Sequence, residues 1–163
     1  MTKMSTTPPQ ETGQDDDDLG IVDALAQLSF LIQGTLAHHA AARDLSMIQT
    51  RLLGVLRDRE PTMQELARLL ELDKSSVTGL VDRAEKRDLV QRIPSRDDRR
   101  ATHVSLTPGG RRTIAEVGGA FTSDVAALTE CLSAMNRKQL STLATKMVHE
   151  YARARDLAGS LND

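Results

Sequence analysis

Residues 73–110 read DKSSVTGLVDRAEKRDLVQRIPSRDDRRATHVSLTPGG, and two changes of period inside that stretch decide the fold. Up to Arg87 the apolar positions are Val77, Leu80, Val81 and Ala84, the three-and-four spacing of one helical face. After Arg87-Asp88 the period becomes that of a strand. Leu89–Ile93 and Thr102–Leu106 read as antiparallel partners, joined by the polar, charged run Pro94–Ala101. Thr107-Pro108 then restores helix, because threonine caps a helix start and proline suits its first position.

Working upstream, Thr62 and Glu65 have capping-box spacing and precede Met63, Leu66, Leu69 and Leu70, a short helix. A break at Glu71-Leu72 separates it from the helix that Asp73 caps. Ser46 and Gln49 repeat the capping box ahead of Ile48, Leu52, Leu53 and Leu56, and that helix ends before Pro61. Ile21, Leu25, Leu28, Ile32 and Leu36 make one long stripe to about Ala42. Downstream, Ile114, Val117, Phe121, Val125, Leu128 and Leu132 mark a fifth helix, with Gly118-Gly119 as a place for a bend. Asn136 with Gln139 opens a sixth, striped by Leu140, Leu143, Met147 and Tyr151. The expected fold is mainly α with a small β-hairpin wing. It is a winged helix-turn-helix with long N- and C-terminal dimerisation helices.

The domain expectation is a disordered acidic tail over 1–18 and one domain over 19–157. Within it, 63–87 is the helix-turn-helix, 89–106 the wing hairpin, and 20–42 and 107–157 the dimerisation helices. The chain has 163 residues and a net charge of −2, which by itself argues against a polyanionic partner. The charge is segregated, however. Residues 1–18 hold Lys3 against Glu11 and Asp15–Asp18, whereas 50–112 hold 14 Lys/Arg against 10 Asp/Glu. Aromatics are 2% of the chain, too few for a base-stacking platform. One cysteine, Cys131, allows no internal disulfide and fits a reducing cytoplasm. No apolar run approaches the ~20 residues of a membrane span, so no membrane partner is expected.

The helix after Asp73 turns Lys74, Ser75, Ser76, Thr78, Gly79, Asp82 and Arg83 away from its apolar face. Short polar side chains near a helix start are what a DNA major groove admits, and Arg83 suits guanine or a phosphate. Arg87 and Arg99 are expected on the DNA backbone. The hairpin carries Arg92, Arg96, Arg99 and Arg100, cations suited to the negative potential of a minor groove. Asp98 has the spacing to orient the Arg100 guanidinium. The alternative is an ordinary solvated helix followed by a solvated loop.

The same string resembles the core of the MarR (multiple antibiotic resistance regulator) family, above all in DDRRATHVSLTPGG. The resemblance covers about residues 20–157. It implies an obligate homodimer whose first, fifth and sixth helices interleave about a two-fold axis. It also implies that Arg100 is the wing-tip minor-groove arginine, that Asp98 is its partner, and that Ser75, Ser76, Thr78 and Arg83 read the major groove. The target would be double-stranded DNA with a pseudo-palindromic site. The long apolar stripes agree with a dimer, since two subunits would bury them from water; an intramolecular bundle is the alternative.

The resemblance further implies a small, often anionic aromatic effector that releases the protein, as a repressor, from DNA. His38, His39, Arg43 and Arg51 are the side chains suited to hold a carboxylate or phenolate. A redox-responsive regulator using Cys131 is a second reading, although no Lys, Arg or His flanks that thiol to activate it, and a packed cysteine is expected. A dimeric interaction module without DNA binding is a third. No phosphate loop, nucleophile elbow or metal constellation supports an enzyme, and no cofactor is expected.

Overall fold

The computed structural model describes residues 18–94 and 102–160, side chains of 155–160 excepted. The acidic run 1–17 and the wing tip 95–101, with Arg96, Asp98, Arg99 and Arg100, lie outside the described residues. The elements run α1 (Gly20–Ala41), α2 (Met47–Asp58), α3 (Met63–Leu70), α4 (Lys74–Lys86), β1 (Val90–Pro94), β2 (Thr102–Leu106), α5 (Pro108–Leu128) and α6 (Ala134–Ser160). Packing divides the chain into two units, 1–34 and 35–163.

The second unit holds the core. Leu52, Leu53 and Leu56 of α2 pack with Leu66 and Leu70 of α3, Val77, Leu80, Val81 and Ala84 of α4, Val104 and Leu106 of β2, and Ile114 and Val117 of α5. Local chemistry starts each helix. Ser46 and Thr62 make complete capping boxes with Gln49 and Glu65. Asp73 accepts the Ser76 N–H, and Thr107 accepts the Gly110 N–H with Pro108 in the first turn. β1 and β2 pair antiparallel from Val90↔Leu106 to Pro94↔Thr102. A bridge from Thr62 to His103 and a hydrogen bond from the Val104 N–H to the Pro61 carbonyl (2.9 Å) lay the α2–α3 loop along β2. Gly110 lies against β1's start so closely that a Cβ there would sit 1.9 Å from the Leu89 carbonyl oxygen.

Several expectations change. The sixth helix starts at Ala134, and Ser133 rather than Asn136 caps it, accepting the Asn136 N–H at 3.2 Å. Both residue types cap well, and Ser133 stands three residues before the amide that needs an acceptor. The fifth helix runs unbroken through Gly118-Gly119 and closes at Leu128, short of Leu132. Cys131 is exposed in the following turn rather than packed, with its thiol 3.6 Å from the Leu128 carbonyl. Separately, α1 is by length and mean hydropathy (1.3) apolar enough to cross a membrane, although no unbroken apolar run in it approaches that length. Asp23, Gln27, Ser29, Gln33 and Thr35 interrupt its apolar residues, so the average is carried by short runs of Ile, Val, Leu, Phe and Ala.

Many apolar side chains are exposed within one chain. On α1 they include Ile21, Val22, Phe30 and Leu31; on α6, Met135, Leu143, Met147, Val148 and Tyr151.

Candidate nucleic-acid interface

The break between α3 and α4 is tight because Glu71 takes a left-handed conformation (φ 57°, ψ 43°). The Leu72 N–H then reaches back to the Ala67 carbonyl at 3.0 Å, closing α3 in a compact turn. Two residues later Asp73 opens α4. Val77, Leu80, Val81 and Ala84 are buried, which turns Lys74, Ser75, Ser76, Thr78, Asp82 and Arg83 to the exposed side. Ser75, Ser76, Gly79 and Arg83 line a shallow groove with Ile48, Leu72 and Leu80.

The hydroxyls on this face are engaged from below. Ser75 Oγ and Ser76 Oγ each donate to one oxygen of Asp73, both at 2.6 Å. Those bonds, with the Ser76 N–H, hold the Asp73 carboxyl well below the usual carboxylate range. Thr78 Oγ1 donates to the Lys74 carbonyl at 2.8 Å. Arg83 lies back along the helix, so that a Cβ on Gly79 would be 3.3 Å from its Nη1.

Sequence reading counted Arg92 among the cations of the hairpin. The fold turns it onto α4, where it pairs with Asp82 (2.7 Å) and Glu85, and its N–H donates to Glu85 Oε1 at 3.1 Å. Arg92 thereby ties the strand leading into the wing to the helix beside it. Arg87, expected on the DNA backbone, donates to the carbonyls of Asp44 (2.7 Å) and Arg43 (3.3 Å), closing the turn after α1 onto the end of α4. Neither contact is legible in sequence, because the partners of Arg87 are backbone atoms more than forty residues away.

Of the side chains expected at an effector site, His38 and His39 stack edge to face with centroids 5.3 Å apart. His39 Nε2 lies 2.7 Å from Asp124, and Arg43 Nε 2.8 Å from Glu116. Both acids belong to α5, and sequence reading missed them. Arg51 is exposed on α2, with no ion pair among the described residues.

The MarR family profile matches residues 43–101, which is the stretch from the turn after α1 through the wing tip. The transcriptional regulator MgrA of Staphylococcus aureus is 30% identical over 109 residues, covering 66% of this chain and 73% of MgrA. The transcriptional repressor NicR of Pseudomonas putida is 33% identical over 96 residues, 54% of this chain and 61% of NicR, so the match spans less than two thirds of that relative. Three solved structures share the fold. Apo MarR from E. coli has a TM-score of 0.66 at 23% identity, covering 80% of this chain and 98% of MarR. NadR in complex with 4-hydroxyphenylacetate has 0.64 at 22%, covering 83% and 97%. An S. aureus MepR variant bound to an oligodeoxyribonucleotide has 0.58 at 21%, covering 78% and 95%.

Proposed function

Because this chain belongs to the MarR family of transcriptional regulators, we propose that it is a cytoplasmic, homodimeric repressor that binds double-stranded DNA at a pseudo-palindrome and leaves it when a small anionic aromatic molecule binds. The observation that carries the proposal is the build of α4. Its apolar side is locked into the core, its polar side is exposed, and Arg92 fixes the wing strand beside it.

In a dimer, two copies of α4 enter successive major grooves about one helical turn, roughly 34 Å, apart. Lys74, Ser75, Ser76, Thr78 and Arg83 face base edges, and Gly79 keeps the helix close. Arg100, oriented by Asp98 and helped by Arg96, enters the flanking minor groove. Arg99 adds salt-dependent phosphate contact, as does Arg87 with the donors that the α1–α2 turn leaves unused. MepR crystallised with an oligodeoxyribonucleotide supports a DNA partner.

The apolar side chains exposed on α1 and α6 support the dimer, since each buried there contributes roughly 25 cal/mol per Å². The same requirement accounts for the hydropathy of α1 without a bilayer. The name of NicR and the 4-hydroxyphenylacetate in NadR support repression and effector class. His39 and Arg43 are paired with Asp124 and Glu116, so an anion reaching His38, His39, Arg43 or Arg51 competes with those carboxylates and loosens α5 from the end of α1.

The test is selection of genomic fragments by the purified protein at near-physiological salt. One enriched pseudo-palindrome, bound about 1–3 kcal/mol more weakly by Arg100→Ala, is the expected result. A folded dimer that enriches nothing favours an interaction module instead. For the effector, unimpaired ligand-driven release in a His38→Ala, Arg43→Ala variant removes those residues from the site.

A further inference from the structure

We propose that the hydroxyls of Ser75, Ser76 and Thr78 meet DNA only as hydrogen-bond acceptors, so that the bases they select carry an exocyclic amino group, adenine or cytosine, on the strand they face. The proposal deepens the assignment of α4 as recognition helix and rests on it.

A hydroxyl has one proton and two lone pairs, and its proton rotates to suit the partner. Serine and threonine are therefore usually indifferent readers of base edges. Here each proton has a fixed destination. Asp73 holds Ser75 Oγ on one carboxylate oxygen and Ser76 Oγ on the other, both at 2.6 Å. An ionised carboxylate has no proton to return, so both hydroxyls donate inward. Thr78 Oγ1 stands 2.8 Å from the Lys74 carbonyl, another oxygen without a proton. The low proton affinity of Asp73 keeps the arrangement intact at neutral pH.

What remains on the exposed side is lone pairs. Adenine N6 and cytosine N4 donate to them in the major groove, whereas guanine O6 and thymine O4 set lone pair against lone pair. Every base pair has one amino and one keto edge, so the three hydroxyls sense which strand carries the amino group. Arg83 supplies the opposite polarity one turn beyond Gly79 and suits a guanine.

Asp73→Asn tests this directly. Asparagine caps a helix as well as aspartate does. Its carbonyl accepts from one serine, but its amide donates to the other, whose proton is then free to point at the DNA. Random-duplex selection with the wild-type protein is expected to yield A or C at the positions facing Ser75 and Ser76. With Asp73→Asn, one of those positions should shift toward G or T by roughly five- to tenfold, the rest of the motif unchanged. A mere charge effect of Asp73 would raise affinity for all sequences alike. Should the variant fail to fold, Ser75→Ala and Ser76→Ala are each expected to erase the A/C preference at one position. A folded Asp73→Asn protein with the wild-type motif, alanine variants that keep it, or a wild-type preference for G or T at those positions overturns the inference. A wild-type protein that enriches no motif overturns the recognition-helix assignment itself.

Discussion

Replacing Gly110 by alanine should destabilise the protein by about 1–3 kcal/mol, although alanine is ordinarily the better helix former by about 1 kcal/mol. The reason is contact, not backbone conformation. A Cβ at 110 would lie 1.9 Å from the Leu89 carbonyl oxygen and 2.9 Å from its carbon. Even a tight contact needs about 3 Å, so backbone on one side must shift by more than an ångström. The Leu89 oxygen also accepts the Thr107 N–H at 3.1 Å. Moving it costs that bond, about 1 kcal/mol, and overpacking adds about 1–3 kcal/mol. Subtracting the propensity gain leaves about 1–3 kcal/mol, or roughly 2–12 °C in Tm for a chain of this size. Urea and thermal unfolding at fixed protein concentration measure it. Gly54→Ala, on a helix where a Cβ meets nothing within 4 Å, is the control and should be stabilised by about 0.5–1 kcal/mol. A Gly110→Ala protein as stable as the Gly54→Ala control would refute the close approach of α5 to β1.

Gly79→Ala should separate stability from function, gaining about 0.5–1 kcal/mol in unfolding while binding DNA several-fold more weakly, because the added methyl crowds the Arg83 guanidinium. Unchanged affinity would mean that Arg83 does not use that position. A double-mutant cycle of Arg92→Ala and Glu85→Ala should return a coupling of about 0.5–1 kcal/mol, small because both side chains are about one third exposed, and Arg92→Ala should weaken DNA binding as the wing strand loosens. Additive single effects would dissolve the clamp. Asp73 and Glu65 both have depressed folded pKa values, Asp73 through the Ser75 and Ser76 hydroxyls and Glu65 through the Thr62 N–H and hydroxyl. Their stabilisation is therefore present above the ordinary values of 3.8 and 4.5 and is lost as pH falls below them. Unfolding measured from pH 6 downward should show it (these pH values are about where carboxylates begin to titrate), and an Asp73→Asn, Glu65→Gln protein should show a flatter profile. Identical profiles would contradict the two caps.

Much of the fold was legible because its signals are local. Ser46 with Gln49, Thr62 with Glu65, and Thr107-Pro108 act within one turn, and the structure places α2, α3 and α5 where those caps start them. The candidate site was legible in outline for the same reason: burial of Val77, Leu80, Val81 and Ala84 determines which side of α4 is exposed. The start of α6 was misread because Ser133 and Asn136 are equally good caps three residues apart. The strand β1 lies one residue later than its apolar run suggests, since Leu89 serves the turn and accepts from Thr107.

The amino-acid sequence by itself determined the order of elements, the helix starts other than that of α6, the apolar faces and the family, because each depends on residue type and spacing along the chain. Tertiary structure alone decided what each cation holds. Arg92 and Arg87 read alike in sequence, but in the fold one holds Asp82 and Glu85, whereas the other holds two backbone carbonyls beyond α1 and keeps donors for phosphate. His39 and Arg43 likewise meet α5 acids some seventy or more residues away. A guanidinium's partner is whatever the fold brings within about 3 Å, and only three-dimensional packing sets that distance.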